Sequence, residues 1–188
     1  SRKPLLTDAH RQKRMEFALA LKQWGFKRWS RVLPSDGKVF YVGKTGRVFV
    51  RRPAGSELDP KYVRATAKTK VKVNAWACMC ASGVGYIFLF GENMDAKLYV
   101  SILESSMVPS AEDLFGNKPY DFQQDNDPKH TSKLAKAWIE EQKISTLPWP
   151  ASSPDLSPIE NLWKIMSTLV QTHNTKNQEE LMVAVVEE

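Results

Sequence analysis

The segment FQQDNDPKH places two aspartates, Asp125 and Asp127, two residues apart at the end of an apolar run. Two more acidic residues occupy comparable positions: Asp36 ends a short apolar segment, and Glu160 follows a proline-rich loop. Residues at strand ends and helix starts can meet at one edge of a sheet, where α/β folds keep their sites. A carboxylate cluster of this kind could hold two Mg²⁺ ions about 4 Å apart and act on phosphate.

Each of these acidic residues also has a purely structural explanation. Asp36 and Gly37 form a strong hairpin-turn signal between two apolar arms. Ser157 and Glu160 fit a helix capping box, with a proline at the first helical position between them. The two aspartates of FQQDNDPKH could begin a loop, the second of them near the cap of the next helix. The pattern alone therefore leaves both a carboxylate site and a set of structural residues open.

Composition indicates one globular domain that works in a reducing compartment. The chain has 188 residues, 42% of them hydrophobic and 26% charged, which suits a single domain with a core rather than disorder. Its longest nearly apolar run, AWACMCA, is far shorter than the roughly 20 residues that cross a bilayer, and no signal peptide is evident, so no membrane partner is expected. The only cysteines, Cys78 and Cys80, share one face at strand spacing and fit reduced thiols in a nuclear or cytosolic protein.

The net charge of +6 conceals a strong asymmetry along the chain. Residues 1–75 carry 19 Lys or Arg against 5 Asp or Glu, whereas residues 76–188 carry 8 against 16. Such a division favours a basic face that binds a polyanion and an acidic region that binds cations. The candidate DNA contacts are Arg2, Lys3, Arg11, Lys13, Arg14, Arg51, Arg52, Lys129 and His130.

Hydrophobic periodicity predicts strands in the first half of the chain. Thr7 can cap a helix whose apolar positions include Met15, Ala18, Leu21 and Trp24. Short β segments then follow, namely RVL up to the first aspartate, VFYV and RVFVRR, with turns at DG and at KTG. The segments VKVNAWACMCA and GYIFLFG predict a hairpin of buried strands around SGVG.

The second half alternates between helices and strands. The predicted order is a helix in DAKLYVSILESSMV, a strand in YDFQQ, a helix in KHTSKLAKAWIEEQK and a short strand in ISTLPW. A helix begins at Pro158, and another covers QEELMVAVVEE. This order predicts an α/β domain with a mixed central sheet. The buried side of the Pro158 helix is expected to carry Ile159, Leu162, Trp163, Met166 and Val170.

Two long motifs, FQQDNDPKHTSKLAKAW and WPASSPDLSPIENLW, together closely resemble the catalytic core of the mariner superfamily of DNA transposases, nearest its Tc-like branch. That branch separates its second aspartate from its glutamate by 34 residues, and here residues 126–159 lie between Asp125 and Glu160. WSRVLPSD occupies the place of the first catalytic aspartate. The resemblance therefore implies an RNase H-like fold with Asp36, Asp125 and Glu160 as catalytic metal ligands, and makes Asp127 a loop or capping residue.

The same resemblance implies the activity, cofactors and partners. Two Mg²⁺ ions, for which Mn²⁺ can substitute, would serve hydrolysis at transposon ends and transfer of the 3′-hydroxyl into target DNA, typically at TA. The partners would be double-stranded DNA and further copies of the chain, as a homodimer or higher oligomer, and the location the nucleus. Residues 1–188 would form one catalytic domain, with residues 1–28 as a basic linker and helix leading into it. The family's N-terminal helix-turn-helix domains are absent from the sequence.

Two departures from the family pattern leave an alternative open. After the first aspartate the family continues with an acidic residue and serine, whereas this chain has Gly37 and Lys38. Before the AWACM strand the family carries a glycine run, and here the sequence is KTKVKVN. The alternative is a domesticated, catalytically inactive DNA-binding or interaction module that keeps the fold.

Overall fold

A computed structural model describes residues 6–43, 51, 53–56, 59 and 71–188. Its sheet contains five strands, β1 (Val32–Tyr41), β2 (Lys72–Cys80), β3 (Gly83–Val84), β4 (Phe88–Phe90) and β5 (Asp121–Gln123). The strands lie in the order β3-β2-β1-β5, and β4 pairs with β2 as well. β1 runs antiparallel to β2 and parallel to β5. The predicted mixed sheet is therefore confirmed, as is the hairpin around SGVG.

The helices occupy most of the predicted segments. They are α1 (Asp8–Ala20), α2 (Phe26–Trp29), α3 (Ala96–Ile102), α4 (Val108–Phe115), α5 (Lys133–Glu141), α6 (Ile159–Val170) and α7 (Gln178–Glu187). A π-helical turn at Leu103–Met107 joins α3 to α4, and short 3₁₀ turns lie at Pro154–Leu156 and Gln171–His173. None of the helices in the described ranges is long and apolar enough to cross a membrane.

The central strand β2 is buried on both faces, and this divides the core into two clusters. One face carries Trp76, Cys78 and Cys80, which pack with α3, α4 and α5. The other carries Val73, Ala75 and Ala77, which pack with α6 and α7. Both cysteines are free and buried in the same cluster, as their spacing predicts. Helices therefore pack on both faces of the sheet. The candidate site lies at the edge of the sheet where β1 pairs with β5.

The predicted turn at Asp36 and Gly37 is wrong. β1 continues through both residues, which pair with Ala77 and Trp76 of β2. A hairpin at this point would break the ladder that joins β1 to β2 along its length. Pairing and burial against a central strand thus outweigh a local turn preference.

The short strand predicted in ISTLPW is reduced to an isolated bridge between Thr146 and Phe122. The Leu147 amide still donates to the Phe122 carbonyl, at 2.8 Å. Pro148 follows directly and has no N–H to continue the ladder, so pairing with β5 stops there. The KTG turn, at residues 44–46, and the strand predicted in RVFVRR, at residues 47–52, lie outside the described residues except for Arg51.

The helix predicted after Thr7 is confirmed, and the Thr7 hydroxyl accepts a hydrogen bond from the His10 amide at 3.2 Å. None of its side chains is buried, and Trp24 lies beyond its end. Side chains of Arg14 and Phe17 tie α1 to the loop before α6. The two guanidinium NH₂ groups of Arg14 donate to the two carboxylate oxygens of Asp155, at 2.8 and 2.6 Å. The Phe17 ring packs edge to face with the Trp149 indole in that loop.

Gly85 lies where the β3–β4 segment crosses α4, and we expect a methyl group there to destabilise the fold. A Cβ at Gly85 would come within 2.5 Å of the Ser110 hydroxyl oxygen and 2.6 Å of the Cys78 sulfur. Overpacking of this kind costs about 1–3 kcal/mol. Gly85→Ala should lower the free energy of unfolding by that amount in urea titration. Gly37→Ala is the matched control, because its methyl would meet only the Ala75 carbonyl oxygen at 3.7 Å; equal losses in the two variants would contradict the packing argument.

Candidate active site

The parallel register of β1 and β5 brings two of the aspartates to the same edge of the sheet. Val32 pairs with Asp121 and Pro34 with Gln123. Continuing this register by two residues sets Asp36 beside Asp125, which lies just past the end of β5. The serine preceding Asp36 donates its hydroxyl hydrogen to the Gln123 carbonyl at 3.0 Å, which keeps the strands together up to this point.

The carboxyl group of Asp36 lies on the α6 side of β1, partly withdrawn from solvent. Burial, above all, raises its pKa to about 6, and the negative charges of Glu160 and Asp125 add to the rise. The Gly37 N–H and the nearby Trp163 indole oppose the rise, although the indole nitrogen makes no hydrogen bond of normal geometry. Asp36 is thus close enough to both other carboxylates to feel their charge, but ionising all three together is unfavourable.

Asp125 is held by the turn that follows it. Its Oδ1 atom lies 2.5 Å from Nδ1 of His130 and accepts a hydrogen bond from the Asp127 amide at 3.0 Å. Burial alone would favour the protonated acid, but these hydrogen bonds, together with the electrostatic influence of His130 and of the nearby Lys129, outweigh it and lower the pKa of Asp125. Asp125 therefore stays ionised beside a partner, Asp36, that resists ionisation.

Glu160 enters the site from the first turn of α6. The helix begins after Pro158, with Ile159 and Trp163 buried beneath it. The predicted capping box is wrong, because no side chain caps this helix. The Ser157 hydroxyl instead points to the side-chain oxygen of Gln123 in β5, at 3.4 Å. This contact ties the start of α6 to the strand that leads to Asp125, and it leaves the Glu160 carboxylate free of a capping role.

The three carboxylates border one cleft of about 310 Å³. Neither histidine nor cysteine is among the described residues that line the cleft, so the oxygen donors suit a hard cation such as Mg²⁺ or Mn²⁺. In the part of the chain that the structure describes, no three acidic, histidine or cysteine side chains close around a single point. An open arrangement fits Mg²⁺, which usually keeps several waters and takes only one or two carboxylates. The cleft is lined by Ser35, Asp36, Gln123, Asp125, Asn126, Asp127, Trp149, Pro150, Ala151, Ser152, Ser153, Pro154, Ser157 and Glu160.

Asp127 lines the same cleft but is occupied by its own turn. Its carboxylate accepts from the Lys129 amide at 3.1 Å and pairs with the Lys129 ammonium at 2.5 Å. Its carbonyl accepts from the amides of His130 and Thr131. The residue thus shapes the loop after β5, as the sequence interpretation proposes. It does not cap α5, whose N-cap is Ser132.

Several of the candidate DNA contacts are already engaged within the protein. Arg14 is paired with Asp155, and hydrogen bonding to that carboxylate raises the pKa of the guanidinium. Lys129 is paired with Asp127, and His130 is buried against Asp125. Each of the three side chains therefore already has a partner within the protein, and its role in binding DNA stays a prediction.

The other candidate contacts are exposed or lie outside the described residues. Arg11, Lys13 and Arg51 are exposed, and the first of them pairs only with Asp8 on the surface of its own helix. Their role in binding DNA stays a prediction. Arg2, Lys3 and Arg52 fall outside the described residues.

Sequence reasoning missed two residues that hold the site together. Gln123 is almost fully buried at the end of β5, and its side-chain oxygen meets Ser157. His130 contacts the Asp125 carboxylate, although its place in a lysine-rich segment suggests a DNA contact. The only sequence signal for Gln123 is a glutamine at the end of an apolar strand. The five-residue spacing between Asp125 and His130 gives no signal for His130.

Comparison with known proteins finds similar sequences over most of the chain. A family model described as DDE superfamily endonuclease matches residues 42–182, which include Asp125 and Glu160 but not Asp36. The Tc1 transposase of Caenorhabditis elegans is 38% identical over 165 residues, covering 87% of this chain and 60% of that protein. The Tcb2 transposase of Caenorhabditis briggsae is 37% identical over 166 residues, with the same coverage. The chain thus spans about 60% of the length of these curated relatives.

Solved structures show the same fold at lower sequence identity. The catalytic domain of Mos1 mariner transposase superposes with a TM-score of 0.72 at 19% identity, covering all of this chain and 83% of that one. The mariner Mos1 paired end complex with Mg gives a TM-score of 0.82 at 20% identity, covering all of this chain and 56% of that one. The fold is RNase H-like, with a mixed sheet between helices, as the sequence resemblance implies.

Proposed function

Since the chain belongs to the DDE superfamily of endonucleases, as a catalytic domain of Tc1/mariner transposase type, we propose that it cuts DNA at transposon ends and joins the freed 3′-hydroxyl to target DNA. The observation that carries the proposal is the meeting of three carboxylates from separate elements at one cleft. Asp36 comes from β1, Asp125 follows β5, and Glu160 belongs to α6. Burial is the main cause of the raised pKa of Asp36, and the negative charges of Glu160 and Asp125 raise it further.

The donor set fits divalent metal, and we assign Asp36, Asp125 and Glu160 as the residues that would hold it. Two ions of Mg²⁺, or of Mn²⁺ in its place, are proposed, and Mos1 paired-end complexes with Mn and with Mg provide the precedent. Bound metal would activate the attacking water or 3′-hydroxyl and stabilise the charge on the leaving oxygen. The protein contributes placement: Gln123 and Ser157 join the two elements that carry Asp125 and Glu160.

The surroundings of the Ser35 and Ser157 hydroxyls suit a reaction that needs no covalent protein intermediate. The Ser35 hydroxyl is buried and bonded to a carbonyl, and the Ser157 hydroxyl is buried against Gln123. Neither has a histidine within hydrogen-bonding distance to act as its base, since His130 is committed to Asp125. The cleft residues thus favour in-line attack by water or by a DNA hydroxyl.

The proposed partner is double-stranded DNA, first a transposon end and then target DNA, typically at TA. Exposed basic residues such as Arg11 and Lys13 on α1 would contact phosphates, which contributes affinity without reading bases. We also propose that the working complex contains two or more copies of the chain and acts in the nucleus. Mos1 paired-end and strand transfer complexes support the DNA-bound state as a proposal for this chain.

The alternative, an inactive module derived from a transposase, finds no support in the described residues. The departures at Gly37 and Lys38 fall inside β1, opposite Trp76 and Ala75, and they leave Asp36 at the cleft. A nicking assay on supercoiled plasmid distinguishes the two functions. The active enzyme should nick with Mg²⁺ or Mn²⁺ and not with EDTA, whereas DNA binding without nicking under every metal condition would favour the inactive module.

We expect metal binding to weaken sharply below about pH 6. The pKa of Asp36 is raised to about 6, so a bound ion must displace its proton at lower pH. Affinity for Mn²⁺, measured by calorimetry from pH 5 to pH 8, should be nearly constant above pH 7. It should fall by up to about tenfold per pH unit below pH 6, the limit for displacing one proton. Affinity that stays level down to pH 5 would remove Asp36 from the ligand set.

A further inference from the structure

The two oxygens of the Asp125 carboxylate have different surroundings. Oδ1 receives both of the contacts made within the protein, from His130 Nδ1 at 2.5 Å and from the Asp127 amide at 3.0 Å. Oδ2 makes no hydrogen bond with any described residue. The side chain is 55% exposed and borders the cleft. One oxygen is therefore tied to the protein, and the other is left to meet a ligand.

His130 is built into the fold around this contact. Its side chain is only 8% exposed, and its ring lies 4.1 Å, centroid to centroid, from the ring of Tyr99 in α3. The Tyr99 hydroxyl is in turn bonded to Gln124, which adjoins Asp125. The His130 amide donates to the Asp127 carbonyl at 2.9 Å, so the backbone is fixed as well. Both the position and the tilt of the imidazole are thereby determined.

The second ring nitrogen identifies the tautomer. Nε2 of His130 is buried and has no hydrogen-bond partner among the described residues. Buried N–H groups that lack an acceptor are rarer in proteins than buried acceptors that lack a donor, and an ionised carboxylate beside Nδ1 can only accept a hydrogen bond. The proton of the neutral ring therefore belongs on Nδ1, where it is donated to Asp125. In this arrangement the imidazole donates a hydrogen bond to the carboxylate and does not itself approach the cleft.

From this geometry we infer that His130 is a positioning residue, which directs the Oδ2 atom of Asp125 toward the divalent metal of the cleft. The inference rests on the proposed function. Carboxylates that bind metals are usually held by hydrogen bonds from a surrounding layer, and losing such a partner costs about 10- to 100-fold in metal affinity. The inference reassigns His130 from the DNA contact that the sequence suggests.

Two substitutions separate the hydrogen bond from the packing. His130→Phe keeps a ring against Tyr99 but has no N–H for Asp125. His130→Asn loses the ring, but its side-chain amide can supply an N–H where Nδ1 stands. We expect the Mn²⁺ affinity, measured by EPR without DNA, to fall about 10- to 100-fold in His130→Phe and to stay near the parental value in His130→Asn. The melting temperature should change in the opposite sense, falling more in His130→Asn.

The outcomes distinguish failure of this inference from failure of the proposed function. Parental protein that binds no Mn²⁺, or binds it equally well as Asp125→Asn, contradicts the metal site itself and the inference with it. Parental binding that survives unchanged in His130→Phe overturns the role of His130 alone. Equal losses of Mn²⁺ affinity in the two variants would do the same, because they would indicate that packing is the cause.

A measurement on the unaltered protein covers the case in which a variant does not fold. ¹⁵N NMR of the His130 ring should show the proton on Nδ1, and addition of diamagnetic Mg²⁺ should shift the Nδ1 resonance more than that of Nε2. A proton on Nε2, or a ring whose resonances do not respond to Mg²⁺, would overturn the inference.

Discussion

Asp125→Asn should abolish metal-dependent DNA cleavage and leave the fold intact. The amide oxygen can still accept from His130 and from the Asp127 amide, so the loop keeps its hydrogen bonds. The change replaces the free Oδ2 with an uncharged NH₂ group, which cannot bind a cation. Because metal contributes several kcal/mol of transition-state stabilisation, cleavage should fall by at least about a hundredfold. Single-turnover nicking, with circular dichroism to confirm folding, measures both effects.

Asp127→Asn is the matched control for this prediction. Asp127 borders the same cleft and carries the same charge, but its side chain is engaged with Lys129 in the turn. An asparagine can keep the hydrogen bond to the Lys129 amide, so this variant should cleave at a rate close to that of the parent. An inactive Asp127→Asn beside an active Asp125→Asn would show that the ligand in this segment lies two residues further on.

Asp36→Asn should have an equally large effect on cleavage, together with an opposite effect on stability. A turn residue could be replaced by asparagine without loss, but Asp36 lies within β1 at the cleft. Removing its charge deprives a divalent cation of one of three carboxylates, and we expect cleavage to fall by at least about a hundredfold. Parental cleavage by this variant would leave Asp125 and Glu160 without their third partner.

The stability effect follows from the raised pKa of Asp36. Without metal, the pKa of Asp36 is about 6 in the folded protein, against 3.8 for the group in the unfolded chain. The folded protein therefore binds this proton more tightly than the unfolded chain does. Ionised Asp36 therefore lowers the free energy of unfolding above about pH 6, and this loss disappears as the pH falls towards 4. In EDTA, Asp36→Asn should be more stable than the parent at pH 7, and the difference should shrink at pH 4. A difference that is the same at both pH values would contradict the burial argument.

The sequence singles out Asp125 and Glu160, which border the same cleft, because both residues lie in long motifs. The segment around each residue has a characteristic order of residue types, and the turn after Asp125, α5 and the loop before α6 make up the spacing between them. Hydrophobic periodicity also indicates most of the helices and the mixed sheet. These features depend on interactions that recur at short and regular intervals along the chain.

Asp36 shows why local patterns fail where strands pair over long distances. An aspartate followed by glycine favours a turn, but residues more than thirty positions away in β2 decide that β1 continues. The capping-box interpretation of Ser157 fails for a similar reason. The capping-box pattern is local, whereas the partner of the Ser157 hydroxyl is Gln123 in β5. No local rule weighs a capping contact against a hydrogen bond to a distant buried residue.

His130 illustrates the same limit for function. Its position beside Lys129 in a basic segment suggests a phosphate contact, and only the folded chain shows that the ring is buried against Tyr99. The turn between Asp125 and His130 bends the chain back on itself, which brings a residue five positions away onto the carboxylate. The spacing alone does not reveal that the His130 ring turns back toward Asp125.

Anomalous diffraction from a crystal soaked in Mn²⁺ tests most directly whether the three carboxylates form a metal site. Anomalous peaks at the manganese edge are expected within the cleft, bounded by Asp36, Asp125 and Glu160, and should be lost in crystals of Asp125→Asn. Cleft density that lacks an anomalous peak in the parent at pH 7 would contradict the metal site. A peak that persists unchanged in Asp125→Asn would contradict it equally, since the ion would then be held by other residues.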